Sequence, residues 1–184
     1  SMASDMRAPR STFCRLTVIL IAVAASAGLW LTANAQVDLD SLEAAYIYNF
    51  TQFTEWPATY GGGTLAVCVN PHSELGVMLA KLEGRVVSGK TWSVKQIPAD
   101  PGREGCSVLI VDDSAAGTAM HAAITPDAPI LIVRAAEAGE SEGPWVVTLV
   151  REGDKLRFDI DNKEALRRHL SLSSKLLRLA RNVS

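Results

Sequence analysis

Short apolar runs bounded by turn residues alternate along most of this chain with stretches of helical spacing. Asp40-Ser41-Leu42-Glu43 has the form of a capping box, and Leu42, Ala45, Tyr46, Asn49, Phe50 and Phe53 follow at helical intervals. A first amphipathic helix is therefore expected to end near Trp56-Pro57, because proline disfavours a helical residue before it, with Gly61-Gly62-Gly63 as its exit. Residues 64–69 (TLAVCV) read as a short buried strand. Asn70-Pro71-His72-Ser73 then opens a helix to about Glu83, with Leu75, Met78, Leu79 and Leu82 inward and Gly84 as its stop. Residues 86–97 place a turn at Gly89-Lys90 and alternate through Trp92, Val94 and Ile97, which predicts an edge strand or hairpin.

Farther on, residues 107–111 (SVLIV) form a continuous apolar run, as in a strand covered on both faces. Asp112-Asp113-Ser114 caps a small-residue helix through Ile124, and Pro129 introduces another strand at 130–133. After a polar loop at 135–144, residues 145–151 and 155–160 flank Gly153-Asp154 as an antiparallel hairpin. Asn162 opens a helix (NKEALRRHL), and Ser173-Ser174-Lys175 leads into a basic amphipathic terminal helix through Leu176, Leu177 and Leu179. This order predicts an α/β fold. It is a single compact domain over residues 37–184, a mostly parallel sheet with helices on both sides, a C-terminal antiparallel hairpin and terminal helices.

The N-terminal segment follows a different rule. Residues 16–31 are almost entirely apolar, with Arg7, Arg10 and Arg15 before them and Ala33-Asn34-Ala35 after them. That order is a secretory signal peptide over residues 1–35, expected to be cleaved after Ala35 and to deliver the domain to the periplasm. Sixteen apolar residues fall short of the roughly 20 needed to span a bilayer. Of three cysteines, Cys14 leaves with the leader. Cys68 and Cys106 remain as an even pair in an oxidising compartment and read as one disulfide, two buried free thiols being the alternative.

Composition narrows the function classes. The chain of 184 residues is 48% hydrophobic and 21% charged, which excludes a wholly disordered protein. Its net charge of −2 provides no field for nucleic acid. Asp112-Asp113 after a strand resembles the acidic pocket of phosphorylatable receiver domains, but the further acid and lysine of that site are missing, and helix capping explains the pair. Neither Ser88 nor Ser114 sits in a Gly-x-Ser-x-Gly elbow, the glycines at 61–63 do not give a Gly-x-Gly-x-x-Gly turn, and His72, His121 and His169 are too few and too scattered for a zinc site. No enzyme activity, cofactor or metal is expected.

Two surface features suggest binding instead. Tyr46, Tyr48, Phe50, Phe53 and Trp56 put five rings into eleven residues. Positions 46, 50 and 53 share a core face, which leaves Tyr48 and Trp56 as candidates for partner or ligand contact, with Trp56 as a plug at the helix end the alternative. Arg167, Arg168 and His169, continued by Lys175, Arg178 and Arg181, form a basic cluster that is either a solvated helix face or a docking edge for an acidic partner or an anion.

The two ends of the domain together carry a family resemblance. Residues 44–57, AAYIYNFTQFTEWP, resemble the opening signature of YfiR-like periplasmic proteins, with its Tyr-Asn-Phe-x-x-Phe-x-x-Trp-Pro core. Phe158-Asp159-Ile160-Asp161, then Leu172-Ser173-Ser174-Lys175-Leu176-Leu177-Arg178-Leu179-Ala180, resembles the closing signature, and Cys106 with the strand after it resembles the family's central one. Asp161 stands where asparagine is common. The resemblance implies a repressor that binds the periplasmic sensory domain of an inner-membrane diguanylate cyclase, lowering cyclic-di-GMP and biofilm formation. It also implies relief by an outer-membrane lipoprotein, a homodimer in many members, and a disulfide that Cys68 and Cys106 would match. A second cysteine pair found in some members is missing here. The competing reading is a periplasmic small-ligand receptor that holds an aromatic or anionic molecule between Trp56 and the Arg167, Arg168, His169 cluster.

Overall fold

The computed structural model describes residues 39–60, 62–112, 124–136 and 142–184. Among them are four helices: α1 (Leu39–Gln52), α2 (Glu74–Ala80), α3 (Asn162–Arg167) and α4 (Ser174–Leu179). The described strands are β1 (Thr54–Glu55), β2 (Thr64–Val69), β3 (Val86–Val87), β4 (Lys90–Gln96), β5 (Val108–Val111), β6 (Leu131–Arg134), β7 (Val147–Glu152), β8 (Lys155–Ile160), β9 (Ser171–Leu172) and β10 (Asn182–Val183). The helix expected after Asp112 falls largely outside the described residues.

The three most apolar runs become the centre of an eight-stranded sheet of order β10-β8-β7-β6-β5-β2-β4-β3. Strands β4, β2, β5, β6 and β7 run parallel in the doubly wound order 2-1-3-4-5, which reverses direction between β2 and β5. Every residue of β5 and β6 is buried, as both-face coverage requires. One face carries Leu65, Val67, Val69, Val108, Ile110, Leu131 and Val133, packed under Ile47 and Phe50 of α1, Leu79 of α2, Ala165 of α3 and Leu176 of α4. The opposite face forms a second, smaller cluster around Leu109, Ile130, Ile132 and Trp145. All four described helices contribute to the cluster on the first face.

Hairpins close the sheet on both sides. At the β3–β4 turn Ser88 and Gly89 both have positive φ (50° and 77°), the requirement of a two-residue I′ loop. The turn therefore sits one residue earlier than Gly89-Lys90, and β4 is an interior strand covered by β3. The β7–β8 hairpin turns at Gly153-Asp154 as expected, with Gly153 at φ 63°.

Helix α1 ends at Gln52, short of Trp56, because Thr54 and Glu55 pair with Leu172 and Ser171 of β9. Glu43 is not a capping-box partner. It is buried one turn inside α1, where a carboxylate oxygen accepts the Ala136 N–H at 3.3 Å. Helix α2 starts tightly against the end of β2. The Ser73 hydroxyl accepts the Gly76 N–H at 3.0 Å and donates to the Asn70 carbonyl at 2.8 Å. A Cβ at Gly76 would overlap the Asn70 carbonyl oxygen. Gly76→Ala is therefore expected to cost about 1–3 kcal/mol, read as a lower urea midpoint at constant slope. An unmoved midpoint would mean that this turn widens freely.

Candidate functional site

The aromatic segment divides between core and rim. Tyr46, Phe50 and Phe158 form an edge-on cluster with ring centres 4.9–6.0 Å apart. Tyr48 leaves that cluster and leans on Trp92, ring centres 5.7 Å apart, with the Arg85 guanidinium 5.9 Å above its own ring. Trp56 is half-buried, and its indole N–H donates to the Ser107 carbonyl at 3.1 Å. Tyr60 donates to the neighbouring Cys106 carbonyl at 2.8 Å, and burial pushes its phenol pKa up. The segment after α1 is therefore a strap across the entry to β5, with Trp56 tied to that entry, four residues past the end of α1.

Beneath that strap a disulfide joins Cys68 of β2 to Cys106, with Cα atoms 5.8 Å apart. It joins β2 to the residues just before β5, the two strands between which the strand order reverses, and both cysteines are buried.

The basic cluster separates once folded. Arg168, expected on a contact edge, is fully buried. Its Nε donates to Glu164 at 2.7 Å and its Nη1 to the Ala128 carbonyl at 3.2 Å. Desolvation lowers its pKa, with Glu164 opposing. It is an internal tie and is not available to a partner. Arg167, one residue earlier, is exposed and chelates the same Glu164 carboxylate at 2.7 and 2.9 Å. His169 is exposed with φ 58° and closes α3 in a Schellman arrangement, its N–H on the Leu166 carbonyl and the Leu170 N–H on that of Ala165. Asp161 caps the same helix by accepting the Glu164 N–H at 2.9 Å. This accounts for an aspartate replacing asparagine, since both cap well. Lys175 and Arg178 are exposed on α4.

Arg181 is held between Asp159 (2.6 Å) and Glu152 (2.5 Å), tethering β10 to the hairpin. The Arg181 hydrogen bond keeps the Asp159 carboxyl below its ordinary pKa, against a smaller opposing effect of burial. A carboxylate with a lowered folded pKa adds stability above its unfolded value and loses it as pH falls through the folded one. Asp159→Asn should therefore cost up to about 1 kcal/mol at pH 7, with the gap to the parent closing below about pH 4. Urea titrations at pH 7 and pH 3 check this; a gap of equal size at both would remove the carboxylate from the account.

A concavity lies elsewhere, between α1 and α2. It is an open groove of about 310 Å³ whose floor is Ala44, Ala45, Tyr48, Met78 and Leu82. Lys81 and Arg85 stand on its wall, Ser41 and Asn49 at its margin. Of the sequence candidates only Tyr48 reaches it. Lys81 and Arg85 carried no sequence signal, because the adjacency of α1 and α2 is a tertiary fact. Among the described residues no group of three or more His, Cys, Asp or Glu side chains could hold a metal, and no helix is long and apolar enough to cross a membrane.

The described residues thus form an α/β body stapled beside its strand-order reversal, with an open groove between α1 and α2. The YfiR/HmsC-like family (DUF4154) matches residues 40–181, and the chain belongs to that family. No curated protein matches the sequence. The family is regulatory and non-catalytic, and membership suggests a periplasmic regulator.

Proposed function

We propose that this protein is exported, loses its leader after Ala35, and represses a membrane-bound diguanylate cyclase by binding the cyclase's periplasmic sensory domain. The family match across almost the whole compact unit of residues 37–184 is the observation that carries this reading. The disulfide supports an oxidising compartment. Repression needs no chemistry: a ligand that prefers one conformation of its target tenfold shifts the equilibrium by about 1.4 kcal/mol. An outer-membrane lipoprotein that sequesters the protein would relieve repression, and a homodimer is compatible with the same scheme. The small-ligand alternative is weaker, because the Arg168 guanidinium and the Trp56 indole N–H are already engaged inside the fold.

Deleting the gene is expected to raise cellular cyclic-di-GMP and biofilm, with both restored by the complete chain. Unchanged cyclic-di-GMP in the deletion strain would refute repression of a cyclase.

A further inference from the structure

The α1–α2 groove combines an apolar floor with two cations and contains no acid. Lys81 and Arg85 have no carboxylate within salt-bridge distance among the described residues; Lys81 Nζ meets only the Met78 sulfur at 3.1 Å, and Arg85 lies over the Tyr48 ring. The exposed acid nearest in sequence, Glu83, is already occupied by the Val94 N–H at 2.7 Å. In a chain of net negative charge this is a local reversal of sign.

We propose that this groove docks a segment of a partner protein that presents a large apolar side chain to the Ala45–Tyr48 floor and an Asp or Glu to Arg85 and Lys81. The guanidinium above Tyr48 can engage a carboxylate through two parallel N–H donors while its face stays on the ring. A second copy of this chain is the wrong occupant, since a two-fold contact brings the same patch to itself and would set these cations against each other. A small molecule is also a poor fit: the groove is open to solvent and lacks the convergent buried polar groups that orient one. The proposal rests on the reading of this protein as a protein-binding regulator and is independent of the partner being a cyclase.

The test replaces exposed Ala45 by photoreactive benzoylphenylalanine in the full chain, expressed in its own envelope, and maps the cross-linked peptide by mass spectrometry. The expected adduct joins Ala45 to an Asp- or Glu-bearing segment of another protein. Its yield should fall about tenfold in a K81E/R85E background and survive in K81R, while K175E/R178E on α4 leaves it unchanged. Melting curves of each variant identify any loss due to misfolding, and K81Q/R85Q then replaces a variant that fails to fold. If the adduct maps to a diguanylate cyclase, groove and repressor readings stand together; if it maps to an acidic segment of a different protein, the groove stands and the repressor reading is decided by the gene deletion alone. An adduct with a second copy of this chain, an adduct indifferent to charge reversal, or no adduct at all overturns the groove proposal.

Discussion

Replacing Arg168 by alanine is expected to cost about 3–5 kcal/mol of folding stability, far more than a surface cation is worth. The side chain is fully buried and ties α3 to the segment before β6 through Glu164 and the Ala128 carbonyl, with a longer contact of 3.5 Å to the Thr125 carbonyl. Truncation removes those charge-assisted bonds and opens a cavity of arginine size. Glu164 keeps Arg167, so the cost does not include a stranded carboxylate. Arg168→Met refills the volume without the donors and should recover about half of the loss, whereas Arg167→Ala, at an exposed pair, should barely move the urea midpoint. Urea unfolding of the three variants makes the comparison. If Arg168→Ala falls within about 1 kcal/mol of the parent, the internal tie is an illusion and a contact role is open again.

The second large effect is at the disulfide. Cys68 and Cys106 are 38 residues apart and enclose α2, β3 and β4, and chain-entropy arguments assign such a closure roughly 3–4 kcal/mol. The double Cys→Ala variant is expected to lose about 2–5 kcal/mol. Because both cysteines are buried, reductant should act on the parent only where the fold opens, near its melting transition, and leave it intact under native conditions. Equal denaturation midpoints for parent and double variant would remove the bridge from the stability of the fold.

Much of the fold was legible because its central strands are buried on both faces and leave nothing polar to confuse the period. TLAVCV is β2 residue for residue, and the Gly153-Asp154 turn sits where its chemistry put it. Errors arose where long-range pairing overrides local preference. Nothing near Thr54 announces that Leu172 will claim it, so α1 ends early. The site was less readable still. Arg167, Arg168 and His169 look alike as a string, yet helical rotation sends one guanidinium inward and the next outward, and the inward carbonyl acceptors lie some forty residues upstream. The Glu164–Arg168 spacing was the available clue, since i and i+4 partners meet on one helix face. Tyr48 was identified by its position off the core stripe, but the cations beside it become neighbours only when α2 lies against α1.

Among the described residues the main sheet presents dipeptide strands at its two margins, Val86–Val87 and Asn182–Val183. A ladder so brief gives an incoming backbone few hydrogen bonds to extend, which guards the chain against stacking into fibrils when it is crowded. Contacts made at these margins would rest on side chains more than on backbone ladders, so single substitutions could tune them.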